Sequence, residues 1–446
     1  MTSEHVLSNG LRVIAVRRAQ LPLATIRFAL RSGSEADPPT LPGAASLAAD
    51  LLTRGTPQRS ATAIAEAAAS LGGSIDAAAG WCRTDVTMTV TTPRLGSAAA
   101  LLADVIRNPA FAGDEVERAR KQALDALRVA WSEPAELAEL VARRLVFGAG
   151  CYGHPAAGTL RSLKALTRED LASLHRIGYR PDNAVLVFAG DVEPSHVFAL
   201  AERTFGDWRK PGIALPGMRV SEPETAGGTA VAVDLPGTGQ ACVVAAQPAI
   251  GRDSPDYYAG IVANAVLGGS YSSRLNAEIR IKRGLSYGAT SGLEALRSGG
   301  WLFASTQTRN PSANEVATLS LDALDSLRTT PPSAAELEAR KATLCGHFGR
   351  SLETTAGLAA QVVERAVHGI DLDDIGRHGE RVQAVTPADV QRFAEVHLDP
   401  AAVRVVIAGD ARRFGASLRK RWPAVATIEA KALDQWVTRT RSRRRT

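Results

Sequence analysis

An α+β fold of two homologous halves is what this sequence predicts. Each half should be a mainly antiparallel sheet with helices packed on one face, the two related by a pseudo-twofold. Three observations point there. The first is an internal repeat. The run Thr167-Arg-Glu-Asp170-Leu171, then Pro181, then Val187-Phe-Ala189-Gly190-Asp191, recurs as Thr386-Pro-Ala-Asp389-Val390, then Pro400, then Val406-Ile-Ala408-Gly409-Asp410. The offset is 219 residues throughout, close to half the chain, so it marks a duplicated domain rather than a solenoid. The second is the grouping of strand-like and helix-like segments, which suits helices laid over an antiparallel sheet. The third is a stretch from Lys210-Pro211-Gly212 to Gly227-Gly228, rich in Pro, Gly and charge and poor in periodicity.

The predicted domains follow: 1–209, a linker over 210–228, 229–426, and a basic tail over 427–446. In the first half, strands are expected at Leu11 to Val16 and Ala24 to Arg31, then helices at about Pro42 to Arg54 and Ala61 to Leu71. Ser74 to Ala79 and Trp81 to Thr91 read as strands, the latter by its Thr/Val alternation. Helices follow over Leu95 to Arg107, Asp114 to Ala130 and Pro134 to Val146, then the repeated helix–strand unit and a helix from Pro194 to Phe205. The second half reads likewise. Strands fall between Thr229 and Gln247 and around Tyr287 to Gln307. Helices run from Ser254 to Leu267 and onward from Ala313, Ser333 and Ala356.

With 446 residues, two to four domains are expected. The net charge of +6 is concentrated in Arg439-Thr440-Arg441-Ser442-Arg443-Arg444-Arg445-Thr446. The body is therefore nearly balanced, which argues against a nucleic-acid partner. Four scattered cysteines without a CxxC pair imply neither a disulfide framework nor a cysteine-rich metal site. No apolar run approaches the ~20 residues of a membrane span. The N-terminus lacks the basic start and apolar core of a signal peptide. A soluble chain is expected, periplasmic if a leader has been removed and cytoplasmic otherwise.

The most informative stretch is Arg280-Ile-Lys-Arg-Gly284-Leu-Ser-Tyr287-Gly288, preceded by Leu267-Gly-Gly-Ser-Tyr-Ser-Ser-Arg-Leu275. A short helix capped by Ser272 or Ser273 should stop at Arg283-Gly284, with cations in its last turn and glycine as the terminator. A strand should then start near Tyr287. Such a junction can aim the Arg280 guanidinium and the Tyr287 phenol at one peptide carbonyl, one supplying fixed charge and the other a hydrogen-bond donor. A structural alternative stands beside it: Arg280 paired with a carboxylate and Tyr287 packed in the core.

Several motifs occur in a telling order. Ser8-Asn-Gly-Leu-Arg-Val13 opens the chain, Gly33-Ser-Glu35 and Gly55-Thr56 flank the first helix, and His154-Pro-Ala-Ala-Gly-Thr159 and Tyr179-Arg-Pro-Asp-Asn183 lie mid-chain. With Gly268–Leu275 and Arg280–Tyr287 they make the chain resemble the pitrilysin/insulinase family of zinc metallopeptidases. The likeness is to the short two-domain branch that holds mitochondrial processing peptidase subunits, respiratory-complex core proteins and their bacterial relatives. Active members of that family carry HxxEH on the first helix, where two histidines bind zinc and the glutamate activates water. In that register this chain has Ser46 and Asp50 for the histidines and Ala49 for the glutamate; Ala126 stands at the third-ligand position. Such residues cannot hold zinc.

The resemblance therefore implies a non-catalytic subunit with no metal of its own, zinc lying instead in a homologous HxxEH partner. Arg280 and Tyr287 match the family's pair that reaches a partner's active site, so peptide would be hydrolysed between two chains closing around it. The alternatives are a structural core-type subunit and a peptide-binding chamber without proteolysis. The short Leu267–Leu275 loop lacks the long glycine-rich insertion of the presequence-binding subunit. Gly72-Gly-Ser-Ile-Asp-Ala77 resembles the family's substrate-pairing edge strand and equally suits an ordinary sheet edge.

Overall fold

The computed structural model describes residues 2–217 and 230–438. Most of the expected linker and the arginine-rich end from Arg439 onward lie outside the described residues.

The first sheet comprises β1 (Thr2–Val6), β2 (Arg12–Arg17), β3 (Leu23–Leu30), β4 (Asp76–Ala79), β5 (Thr84–Thr91) and β6 (Ala184–Gly190), in the order β1-β2-β6-β3-β5-β4. The second comprises β7 (Ala230–Asp234), β8 (Gln240–Ala249), β9 (Ala289–Leu296), β10 (Gly299–Arg309), β11 (Arg404–Gly409) and β12 (Ala426–Glu429), in the order β12-β7-β11-β8-β10-β9. Five strands of each sheet correspond one to one. In both, the central strand has a parallel neighbour on one side (β2 on β6, β7 on β11) and an antiparallel one on the other (β3 on β6, β8 on β11). The duplicated topology read from the repeat is thus present in hydrogen-bond detail.

The repeat carries its local chemistry with it. Thr167 Oγ1 accepts from Asp170 N at 3.1 Å while Asp170 Oδ2 accepts from Thr167 N at 2.9 Å. Thr386 and Asp389 repeat both bonds at 3.1 and 2.9 Å. Each pair is a reciprocal cap that satisfies two backbone donors at a helix start. The helices Arg168–Gly178 and Pro387–His397 follow, then the central strands β6 and β11. β6 is buried at every residue, as a central strand covered on both faces requires.

What covers those second faces was not legible from the repeat. On one face each sheet carries helices of its own half; Leu95–Arg107 and Pro194–Phe205 lie over the first, and Tyr257–Leu267 and Ala313–Thr329 over the second. On the opposite face of the first sheet, helix Thr355–His368 buries Leu358, Ala359, Val362, Val363, Ala366 and Val367 against Ile14, Ala29, Val185 and Val187. On the opposite face of the second, helix Pro134–Phe147 buries Leu137, Ala138, Val141, Ala142, Leu145 and Val146 against Val231, Val244, Trp301 and Val406. The two helices use one spacing, i, i+1, i+4, i+5, i+8, i+9, which is a helical face. Each half thus lends its copy of one helix to the other half's sheet. Among the described residues the compact units are accordingly 2–125, 156–217 and 348–376, and 126–155, 230–347 and 377–438. The linear domains expected from the sequence do not have these boundaries, because hydrophobic periodicity shows which face of a helix is buried but not which sheet buries it.

The expected tail also departs from the structure. Past 426 the chain adds β12 parallel to β7, and helix Leu433–Thr438 buries Leu433 against the second sheet's core. The run is short and its apolar residues few, so it carries little periodic signal.

Candidate functional site

Helix Ala44–Leu51 holds the positions where zinc ligands would stand. Its N-terminus is fixed by the buried Asp37, whose carboxylate accepts from Gly43 N at 2.7 Å and Ala45 N at 2.8 Å. Gly43 has φ of 91°, and a Cβ there would sit 2.7 Å from Gly158 Cα, so only glycine fits. On this well-anchored helix Ser46 Oγ donates to Ala156 O at 2.9 Å. Asp50 pairs with Arg54 at 2.9 Å. Ala49 is wholly buried and Ala126 is exposed on its own helix. A hydroxyl already bonded, a carboxylate already paired and two methyl groups do not make a zinc centre, whose ligand set is nitrogen, sulfur or free carboxylate oxygen. Among the described residues no group of three or more His, Cys, Asp or Glu could hold a metal ion.

The Arg280–Tyr287 stretch is built differently. Residues Asn276–Lys282 form a π-helical segment rather than the ordinary helix expected, a geometry that is rare and often found at functional sites. It ends as the sequence suggests. Gly284 takes the left-handed conformation at φ of 61°, its N–H donating to Arg280 O and that of Leu285 to Ile279 O, both at 2.9 Å. The strand starts at Ala289, two residues later than expected, because residues 285–288 are engaged by side chains instead of the sheet. Thr308 Oγ1 donates to Leu285 O at 2.6 Å, and Thr306 Oγ1 donates to Gly288 O at 2.9 Å and lies 2.8 Å from Ser286 Oγ. Ser286 Oγ in turn accepts from Gly288 N at 2.9 Å. The backbone on both sides of Tyr287 is therefore fixed, while its side chain is offered to solvent, Tyr287 being 89% exposed.

Arg280 is half-buried, and its guanidinium lies 4.6 Å from the ring centroid of Tyr271. No carboxylate partners it among the described residues. Its neighbours are committed. Lys282 and Arg283 both bind Glu278, the first at 2.7 Å, and they hold its carboxyl below the usual carboxylate range. The structural alternative raised by the sequence, an ion-paired arginine and a core tyrosine, is thus not what the fold contains.

Two residues that sequence reasoning missed hold this region. Asn276, nearly buried, donates to Ala289 O at 2.7 Å and accepts from Ala289 N at 3.0 Å, tying the π-helical segment to the start of β9. Arg340, on helix Ala334–Ser351, donates to Ser270 Oγ, Ser272 Oγ and Ser272 O at 2.7, 3.0 and 2.6 Å. It fixes the loop that carries Tyr271. Arg340 lies about 60 residues beyond the stretch it supports, and its spacing gives no sign of that.

Comparison with known proteins decides the family. The model described as insulinase (peptidase family M16) matches residues 12–158, and that of the peptidase M16 inactive domain matches residues 165–344. The chain belongs to peptidase family M16. An uncharacterized zinc protease of Mycobacterium leprae is 31% identical over 66% of each chain. A probable mitochondrial-processing peptidase subunit beta of Schizosaccharomyces pombe is 25% identical over 88% of each. A crystal structure of a peptidase M16 inactive domain from Pseudomonas fluorescens superposes with a TM-score of 0.85 at 25% identity, covering 92% of this chain and 98% of that one. Zinc is the metal this family implies, and the residues at its positions in this chain do not fit it. No helix among the described residues is long and apolar enough to cross a membrane.

Proposed function

We propose that this M16 chain is the zinc-free subunit of a two-chain metallopeptidase. It lends Arg280 and Tyr287 to the active site of a homologous HxxEH subunit that cleaves unfolded peptides. The observation that carries this reading is the contrast between the two regions. The remnant of a metal site is filled by settled contacts. Tyr287, by comparison, projects an unburied phenol from a backbone secured by three side-chain hydrogen bonds, seven residues after an arginine with no acidic partner among the described residues. A fixed, outward-facing donor suits a group that must act on another molecule, since a donor aimed at a developing oxyanion favours the transition state over the ground state.

The test is reconstitution. The HxxEH-bearing M16 homologue of the same genome is purified alone and with this chain, and hydrolysis of a quenched unfolded peptide is followed. Activity that needs both proteins, with one zinc per heterodimer and none in this chain alone, supports the proposal. A stable heterodimer with no gain in activity would make the chain a structural core-type subunit instead.

A further inference from the structure

The Tyr271–Arg280 pair has an unusual electrostatic position. Arg280 belongs to a four-residue cluster of charge with Glu278, Lys282 and Arg283, and Glu278 is taken up by the other two cations. Arg283 also meets Glu315 at 3.8 Å, so three cations face two carboxylates, and the remaining positive charge resides on Arg280, which has no hydrogen-bond or ion-pair partner among the described residues. Its guanidinium carbon lies 4.6 Å from the centre of the Tyr271 ring, a cation–π contact that leaves its N–H donors unbonded among the described residues. Tyr271 is itself 61% exposed, and Arg340 fixes its loop through Ser270 and Ser272. The support is therefore preorganised, and ligand binding need not order it.

A guanidinium whose planar fork of N–H donors is unbonded and whose charge is uncompensated is matched best by a planar, anionic, two-oxygen acceptor. A neutral peptide carbonyl offers one oxygen and no charge. We propose that Tyr271 and Arg280 form a carboxylate-binding cradle, whose ligand is a peptide carrying either a free C-terminal carboxylate or an acidic side chain. In this arrangement Arg280 is the ligand-contacting group and Tyr271 positions it. The proposal deepens the reading of Arg280 as a substrate-facing residue and rests on it. Its test reads binding to this chain alone, so its failure is separable from a failure of the two-subunit reading, which is judged by activity.

The experiment follows the Arg280 Nε–Hε signal in nitrogen-15-labelled full-length chain, assigned by its loss in Arg280→Lys. Three probes are titrated: acetyl-penta-alanine with a free C-terminus, the same peptide amidated, and amidated acetyl-Ala-Ala-Asp-Ala-Ala. The expected result is a saturable shift with one or both acids, at least fivefold weaker with the neutral amide and weaker again as salt is raised. A response to the free-terminus peptide alone assigns the ligand as a peptide end, and one to the Asp peptide alone as a side chain. Tyr271→Phe keeps the stacking face and should bind within twofold of wild type. Tyr271→Leu should lose fivefold or more at an unchanged melting temperature, because the residue is on the surface. Equal responses to all three peptides, or no saturable shift with any, would overturn the cradle. Unchanged carboxylate binding in Tyr271→Leu would overturn the part assigned to Tyr271.

Discussion

At the scale of single residues, burial separates the groups that serve the fold from those offered to other molecules. His175 is one of the former. Its Nε2 bonds Ile106 O at 2.8 Å and its ring stacks on Tyr179 at 4.5 Å, and desolvation pushes its pKa below the ordinary 6.5. A base whose folded pKa is lowered is neutral in the native state and takes up its proton more readily when unfolded. The stability it contributes is therefore complete above pH 6.5 and lost as pH falls below it. A series of melting temperatures from pH 7.5 to 5 should decline more steeply for wild type than for His175→Gln; parallel curves would contradict this. Cys242 is another. Burial pushes its thiol up to about 11, so alkylation at pH 8 in the native state should spare it and reach the half-buried Cys345 first. Peptide mapping checks the order, and early labelling of Cys242 would show that its strand opens. The outward group, Tyr287, was legible from its motif. Its supports were not: Asn276 and Arg340 look like any polar residue on a helix until the chain folds back on them.

Among the elements, legibility followed periodicity. The repeated helix–strand unit was readable because a capping box and an apolar strand are local signals, and both copies formed at the expected positions. The π-helical segment was not, since the chemical cues that predict its end, Gly284 and the cations before it, are those of any helix. The exchanged helices were legible as helices, though their destinations were not. That exchange gives a sharp prediction. Val362, 1% exposed on helix Thr355–His368, packs on the first sheet. Val362→Asp buries a carboxylate without a partner and should cost about 3 kcal/mol or more. The damage should appear as faster amide exchange in β2, β3 and β6, strands that lie more than 150 residues earlier in the chain. Exchange rising only near residue 362 would mean that the helix is not part of the first sheet's core. By the same logic, residues 1–217 expressed alone lack the cover for one sheet face and should aggregate.

For the whole molecule, the fold class and the family were within reach of the sequence because several motifs occurred in order, and none alone would have sufficed. Loss of the metal ligands was equally plain, since chemistry is lost as soon as histidine becomes serine. What no single chain can carry is the other half of a composite active site. We propose that Tyr287 reaches such a site, and one measurement tests this most directly: the turnover of the reconstituted complex with Tyr287→Phe. The phenol is exposed and without a hydrogen-bond partner among the described residues, so the substitution should leave the melting temperature and the affinity for the HxxEH subunit unchanged. Removal of one oxyanion donor lowers rates by roughly 10²–10³, and the partner's metal would cover some of that loss. The predicted result is a fall in kcat of about 10-fold or more with little change in KM. A Tyr287→Phe complex that turns over at the wild-type rate would contradict the central claim, and the chain would then serve catalysis only as a scaffold.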